Sequence, residues 1–156
     1  MKLLLQQHGE AQPASQSAER ELTPHGAADV ANLARVLGAA GVRVTQVLHS
    51  GKTRAHQTAE IMGRALAPEA VPRSVSGLAP NDPVEPIAAT FAELDCDTLV
   101  VGHLPFMGRL ASFLVSGRTE PALMQFLPGS IICLVRDDSG QLTIAWMLRP
   151  ELLPLP

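Results

Sequence analysis

Short apolar runs alternate along this chain with stretches in which apolar residues recur every three or four positions. Residues 2–6 (KLLLQ) read as a strand. Residues 26–40 (GAADVANLARVLGAA) place Val30, Leu33, Ala34 and Leu37 on one helical face, with Gly41 as a stop. A second strand is predicted over 43–48 (RVTQVL) and a second helix over 51–66, followed by a weak strand over 70–75 hemmed in by Pro68 and Pro72. Residues 77–83 (GLAPNDP) are turn chemistry throughout and predict a loop.

The second half repeats the alternation. A helix is predicted over 84–94, and 97–102 (DTLVVG) is a continuous apolar run of the kind buried on both faces of a parallel sheet. Pro105 sits where a first-turn proline is tolerated, opening a helix that runs to Val115. Residues 131–136 and 142–147, joined around Asp137-Asp138-Ser139-Gly140, read as a closing hairpin. The pattern predicts an α/β protein: a three-layer α/β/α sandwich with a mostly parallel sheet, one domain over 1–150 and a loose proline-rich tail (ELLPLP) over 151–156.

Composition narrows the partners. The chain has 156 residues, 46% of them hydrophobic but only 3% aromatic, so its core must be built from Leu, Val, Ala, Ile and Met. A formal charge of -3 supplies no overall positive field for nucleic acid or anionic lipid, and neither is expected as a partner. Met1-Lys2-Leu3-Leu4-Leu5 opens like a secretion signal, but Gln6, Gln7 and His8 interrupt it, and no apolar run is long enough to span a bilayer. A cytoplasmic protein is expected. Cys96 and Cys133 lack the spacing of a metal or redox pair and read as reduced core residues, with a disulfide between them as the lesser reading.

In open α/β sheets ligands bind beyond the carboxyl ends of the strands. His8 lies just past the first predicted strand, Ser50 to Arg54 just past the second, and His103 just past DTLVVG. Ser50 reads as the N-cap of the helix that follows, which puts Lys52, Arg54 and His56 in or near its first turn, where cations oppose the helix dipole. For Arg54 that placement makes sense if an anion, most simply a phosphoryl group, is the ligand; Lys52 and His56 read as a solvated helix end. A neutral imidazole attacks phosphorus without first losing a proton, so His8 is a competent nucleophile, and Gly9 behind it permits close approach of the backbone to a phosphate. His103 reads equally as a strand-end packing residue or as a donor to phosphoryl oxygens.

QHGEA at 7–11, LTPHG at 22–26, SGKTRAHQTA at 50–59, LAPNDP at 78–83 and VVGHLPFMGRLASFL at 100–114 together resemble the histidine phosphatase superfamily, in particular its short SixA-like phosphohistidine phosphatases. The resemblance runs over nearly the whole chain. It implies a phosphoglycerate mutase-like fold without a lid domain, no metal or organic cofactor, and a phosphatase whose substrate is a phosphohistidine protein or a small phosphoester. It further implies that His8 forms a phosphohistidine intermediate and that Arg54 and His103 bind and stabilise the phosphoryl group. Arg20 matches a basic position of these proteins and reads either as a pocket residue or as a surface arginine.

The family signature is Arg-His-Gly, and here Gln7 stands in the arginine position. A guanidinium offers a permanently charged fork to two phosphoryl oxygens, whereas an amide offers one neutral NH₂ and an acceptor that an anion repels. The general acid that protonates the leaving group is open between Glu10 and Asp82, with Asp82 preferred because its loop should project over the strand ends. Two other readings stand beside the phosphatase. One is a phosphate-binding pseudoenzyme with negligible turnover, motivated by Gln7; the other treats His8, Glu10 and His103 as metal ligands, against which the absence of H-E-x-x-H or similar spacing argues.

Overall fold

The computed structural model describes residues 1–154. Its elements run β1 (Lys2–Gln7), α1 (Pro24–Ala39), β2 (Gln46–His49), α2 (Thr53–Leu66), β3 (Arg73–Ser74), α3 (Glu85–Ala92), β4 (Thr98–Gly102), α4 (Phe106–Ser116), β5 (Ile131–Arg136) and β6 (Leu142–Leu148), then a short 3₁₀ turn at Pro150–Leu152. The strands form one 6-stranded sheet in the order β3-β2-β4-β1-β5-β6. Parallel pairing joins β3, β2, β4 and β1; β5 runs antiparallel to β1, and β6 antiparallel to β5. The sheet is therefore mixed, with β5 alone opposing the other strands.

The three layers follow from the period of two along β1. Leu3 and Leu5 face one side, where they pack with Val100, Ile132 and Leu134 of the sheet, Phe91 of α3, and Phe106, Met107 and Leu110 of α4. Leu4 faces the other side, with Val47, Leu99 and Val101, Val30, Leu33 and Leu37 of α1, and Ala55, Ala59, Met62 and Leu66 of α2. Both faces of the central strands are covered, as their continuous apolar sequences require.

Several boundaries depart from the sequence pattern for identifiable reasons. The first helix begins at Pro24 because Thr23 caps it, its side chain accepting from the Gly26 N–H at 2.9 Å, with proline in the first turn. The second strand starts only at Gln46, since Val44 N–H goes to Leu66 O and Thr45 N–H to Asp97 O instead of to a ladder. The third strand shrinks from 70–75 to Arg73–Ser74 because Pro72 has no N–H to contribute. The tail expected to be loose is held where it is described: Pro150–Leu152 forms its turn, Leu153 packs on the α1–α2 core, and Asn32 Nδ2 donates to Pro154 O at 2.9 Å. Residues 155–156 of that tail lie outside the described residues.

Candidate active site

The parallel ladder itself brings the two histidines together. His8 N–H donates to Gly102 O at 3.0 Å, one step beyond the β1–β4 pairing, so the residues that follow these neighbouring strands leave the sheet side by side. The His8 and His103 ring centroids are 5.0 Å apart. The loop after β2 adds Ser50 and Arg54: Arg54 Nε donates to His8 Nε2 at 3.1 Å, and Ser50 Oγ lies 2.5 Å from His103 Nε2. Arg20 comes from the 9–23 loop, which closes on itself through Gln12 N–H to Glu21 O and through an isolated bridge between Ala11 and Leu22. Arg20 has a left-handed backbone, φ 51°, and its Nε donates to Gln12 O at 3.0 Å.

The tautomer of His8 follows from its neighbours. Nδ1 is 2.7 Å from Gly9 O, an acceptor only, so Nδ1 carries the proton and Nε2 keeps its lone pair toward Arg54. Burial drives the His8 pKa down from 6.5 to about 4; the Gly9 hydrogen bond opposes this, and the Arg54 and Arg20 charges reinforce it. His103 is lowered to about 3, first by burial, then by His8, Arg54, Lys52 and Arg20. Both imidazoles are thus neutral at neutral pH, in the field of the Arg54 and Arg20 charges. Burial and Arg20 also lower the Arg54 pKa, without removing its charge at neutral pH.

These shifts fix the sign of a pH dependence. Between the unfolded value near 6.5 and the native values near 4 and 3, the unfolded chain binds protons that the native chain does not, so stability rises with pH across that window. We expect the melting temperature to be flat above pH 6.5 and to fall as pH drops toward 4. In His103→Asn the fall should be shallower, a comparison that thermal melts at stepped pH will make.

The other residues expected from the sequence are placed as follows. Gly9 is not available to a phosphate through its N–H, which donates to Thr58 Oγ1 at 3.1 Å. Its bare Cα is required by packing instead: a Cβ there would meet Val30 Cγ2 at 2.8 Å and Gly26 O at 3.0 Å. Ser50 does not cap α2, whose N-cap is Lys52 without a side-chain bond; its hydroxyl is turned to His103. Gln7 is buried at the end of β1 and its Oε1 has no hydrogen-bond partner.

The two carboxylates are held elsewhere. Glu10 Oε1 accepts from Thr23 Oγ1 at 2.7 Å, and Glu10 lines a cleft with His25, Asp29 and Arg149. Asp82 Oδ2 accepts from Ala79 N–H at 2.8 Å inside its own turn, and neither carboxylate is among the charges that shift His8 or His103. The 78–83 loop passes β4 at Gly102, where a Cβ would lie 3.9 Å from Leu78 O, and Arg109 Nη2 donates to Asp82 O at 2.8 Å. Among the described residues no group of three His, Cys, Asp or Glu side chains is arranged to hold a metal ion.

Sequence reasoning missed two supports of the site. Thr58 is fully buried, accepts from Gly9 N–H and donates to Arg54 O at 2.8 Å, tying the His8 loop to the first turns of α2. The signal was a polar residue on the apolar face shared by Ala55, Ala59 and Met62. His49, at the end of β2, is also buried; its Nδ1 accepts from Gly51 N–H at 3.1 Å and its ring stacks on His56 at 4.8 Å. That bond shapes the turn carrying Ser50, and nothing in the periodicity of β2 announces it.

A neutral imidazole whose Nε2 lone pair faces Arg54, with a second imidazole beside it and the charges of Arg54 and Arg20 acting on both, stands at the carboxyl edge of an α/β sheet, an arrangement with the chemistry to receive a tetrahedral oxyanion. No family model matches the chain. Phosphohistidine phosphatase SixA of Escherichia coli (strain K12) is 30% identical to it over 155 residues, covering 96% of this chain and 94% of that protein. The solved structure of the protein histidine phosphatase SixA complexed with tungstate superposes with a TM-score of 0.84 at 30% identity, over 96% of this chain and 97% of that one. The α-ribazole phosphatase of Shigella flexneri shares the fold, with a TM-score of 0.79 at 17% identity over 96% and 97%. Fold and relatives define a histidine phosphatase with the phosphoglycerate mutase-like architecture and no added lid domain among the described residues. Within that class the chain belongs to the SixA family of phosphohistidine phosphatases.

Proposed function

We propose that this chain is a phosphatase acting on phosphohistidine in protein partners, through a phosphohistidine formed on His8. The observation that carries the reading is the His8 ring, its Nδ1 proton committed to Gly9 O and its Nε2 lone pair facing Arg54. Nε2 attacks the phosphorus; the Nε2–P bond forms as the bond to the leaving nitrogen breaks, and the departing imidazole takes its proton from solvent. Water then attacks the phosphorylated His8, releasing inorganic phosphate and restoring the lone pair. Arg54 and Arg20 supply positive charge where the equatorial oxygens gain negative charge.

An imidazole leaving group needs no strong acid, which suits a site whose Glu10 and Asp82 carboxylates are engaged by Thr23 and Ala79. Of the two, Asp82 remains the better general acid for an alkyl or aryl phosphoester, because its loop adjoins the strand ends. The short connections leave the site open to a side chain presented by another protein, with a small phosphoester as the lesser substrate. No helix of the described residues is long and apolar enough to cross a membrane, and Cys96 and Cys133 are free, which supports action in the cytoplasm. That the related SixA structure is a complex with tungstate, a tetrahedral oxyanion, supports a phosphoryl group as the ligand class.

Gln7 weakens this machinery without removing it. Since its Oε1 has no partner to lose, Gln7→Arg should restore a charged fork and raise kcat/KM by about 10- to 100-fold, the worth of one charged hydrogen bond. An unchanged or lower rate in the variant would show that the site has adapted to the amide. The reading as a whole is tested by phosphate release from a phosphohistidine-containing protein and from an aryl phosphate, in chelator. We expect turnover of both with the phosphohistidine preferred; binding of phosphate with no release from either would establish a pseudoenzyme.

A further inference from the structure

Between β2 and α2 the chain turns within residues 50–52, and little fastens that turn. Gly51 takes φ 84°, and a Cβ there would meet Ser74 Oγ at 2.7 Å, so the position belongs to the residue with the widest conformational choice. Lys52 caps α2 without a side-chain bond. Among the described residues, the backbone N–H of the turn that a side chain receives is that of Gly51, which donates to His49 Nδ1 at 3.1 Å. His49 is itself held from several directions. Its strand pairs it with Val101 of β4, its carbonyl accepts from Val75 N–H at 2.9 Å, and its buried ring stacks on His56 of α2, centroids 4.8 Å apart. One ring therefore grips the chain on both sides of Arg54, at Gly51 before it and at His56 after it.

Only one form of that ring can do this. An N–H aimed at Nδ1 needs a lone pair there, so His49 must be neutral with its proton on Nε2. Burial lowers its pKa below 6.5, the charge of a protonated His56 lowers it further and Glu60 opposes both, which leaves the ring neutral at neutral pH. We infer that His49 is a positioning residue for the reaction: its Nδ1 lone pair fixes the Gly51 turn, and with it the place from which Arg54 Nε meets His8 Nε2 at 3.1 Å. Its effect passes through Arg54 and not through contact with the substrate. The inference rests on the phosphatase reading, in which Arg54 stabilises the transferred group.

The test compares His49→Asn, whose Oδ1 stands where Nδ1 stood and still accepts, with His49→Leu, which fills the space and accepts nothing. In His49→Leu, kcat for phosphate release from a phosphohistidine-containing protein should fall about tenfold, while His49→Asn stays within about threefold of wild type. A ring that merely packed would give the reverse order, since leucine replaces buried surface better than an amide does. In an Arg54→Ala background, adding His49→Leu should cost no more than about twofold further, because His49 acts through Arg54. Nitrogen-15 spectra of the wild type should show an unprotonated His49 Nδ1 with a scalar coupling to the Gly51 amide nitrogen. A missing coupling, a proton on Nδ1, His49→Leu as active as His49→Asn, or losses that multiply in the double variant would each overturn the inference. The wild-type spectrum decides even if a variant folds poorly. A wild type without turnover would bring down the phosphatase reading and this inference with it, whereas wild-type turnover undiminished in His49→Leu would remove this inference alone.

Discussion

His8→Ala is expected to reduce phosphate release by on the order of 10³-fold or more, because it deletes the atom proposed to form the covalent bond. The structure supports a loss of chemistry over a loss of fold. His8 sits past the end of β1, its side chain bonds only Gly9 O and Arg54 Nε among the described residues, and the backbone of the site is held by His8 N–H to Gly102 O, a contact alanine keeps. Oxyanion binding should survive in part, since Arg54 and Arg20 remain. The checks are steady-state rates on both substrates and a thermal melt; a variant that melts like wild type and still turns over within tenfold would exclude His8 as the nucleophile.

Arg54→Ala carries the second largest effect, an expected loss of about 10²- to 10³-fold in kcat, the usual cost of removing one preorganised group that stabilises developing negative charge. Arg54 is placed with care. It stands in the first turn of α2, its carbonyl accepts from Thr58 Oγ1, and Thr58 in turn accepts from Gly9 N–H, so guanidinium and nucleophile share one rigid link. Arg54→Lys keeps the charge and loses the fork, and should recover only part of the rate. Because Arg54 also depresses the His8 pKa, its removal should move the acidic limb of the rate profile to higher pH; an unshifted limb with undiminished kcat would remove Arg54 from the site.

Much of this is legible in the sequence. The continuous apolar run of β4 pointed to a strand buried on both faces, and the rule that ligands lie past parallel strand ends singled out His8, Arg54 and His103, which the sheet does bring together. What stayed hidden depends on side-chain direction. Ser50 reads as a helix cap in sequence, since a serine before a helical run ordinarily is one; only the fold shows that the helix starts three residues later and that the hydroxyl meets His103. Gly9 reads as room for a phosphate, yet the room is taken by Val30 and Gly26 of a helix distant in sequence. Glu10, two residues from His8, turns to Thr23, a pairing set by the closure of the 9–23 loop.

The central claim is the covalent phosphohistidine on His8, and the most direct measurement is to quench turnover with base and map the phosphorylated peptide by mass spectrometry. The account predicts an acid-labile, base-stable phosphoryl group on the peptide carrying His8, absent in His8→Ala and lost on brief acid treatment. Full turnover with no phosphorylated peptide in rapidly quenched samples, or a phosphoryl group on His103 in its place, would contradict it.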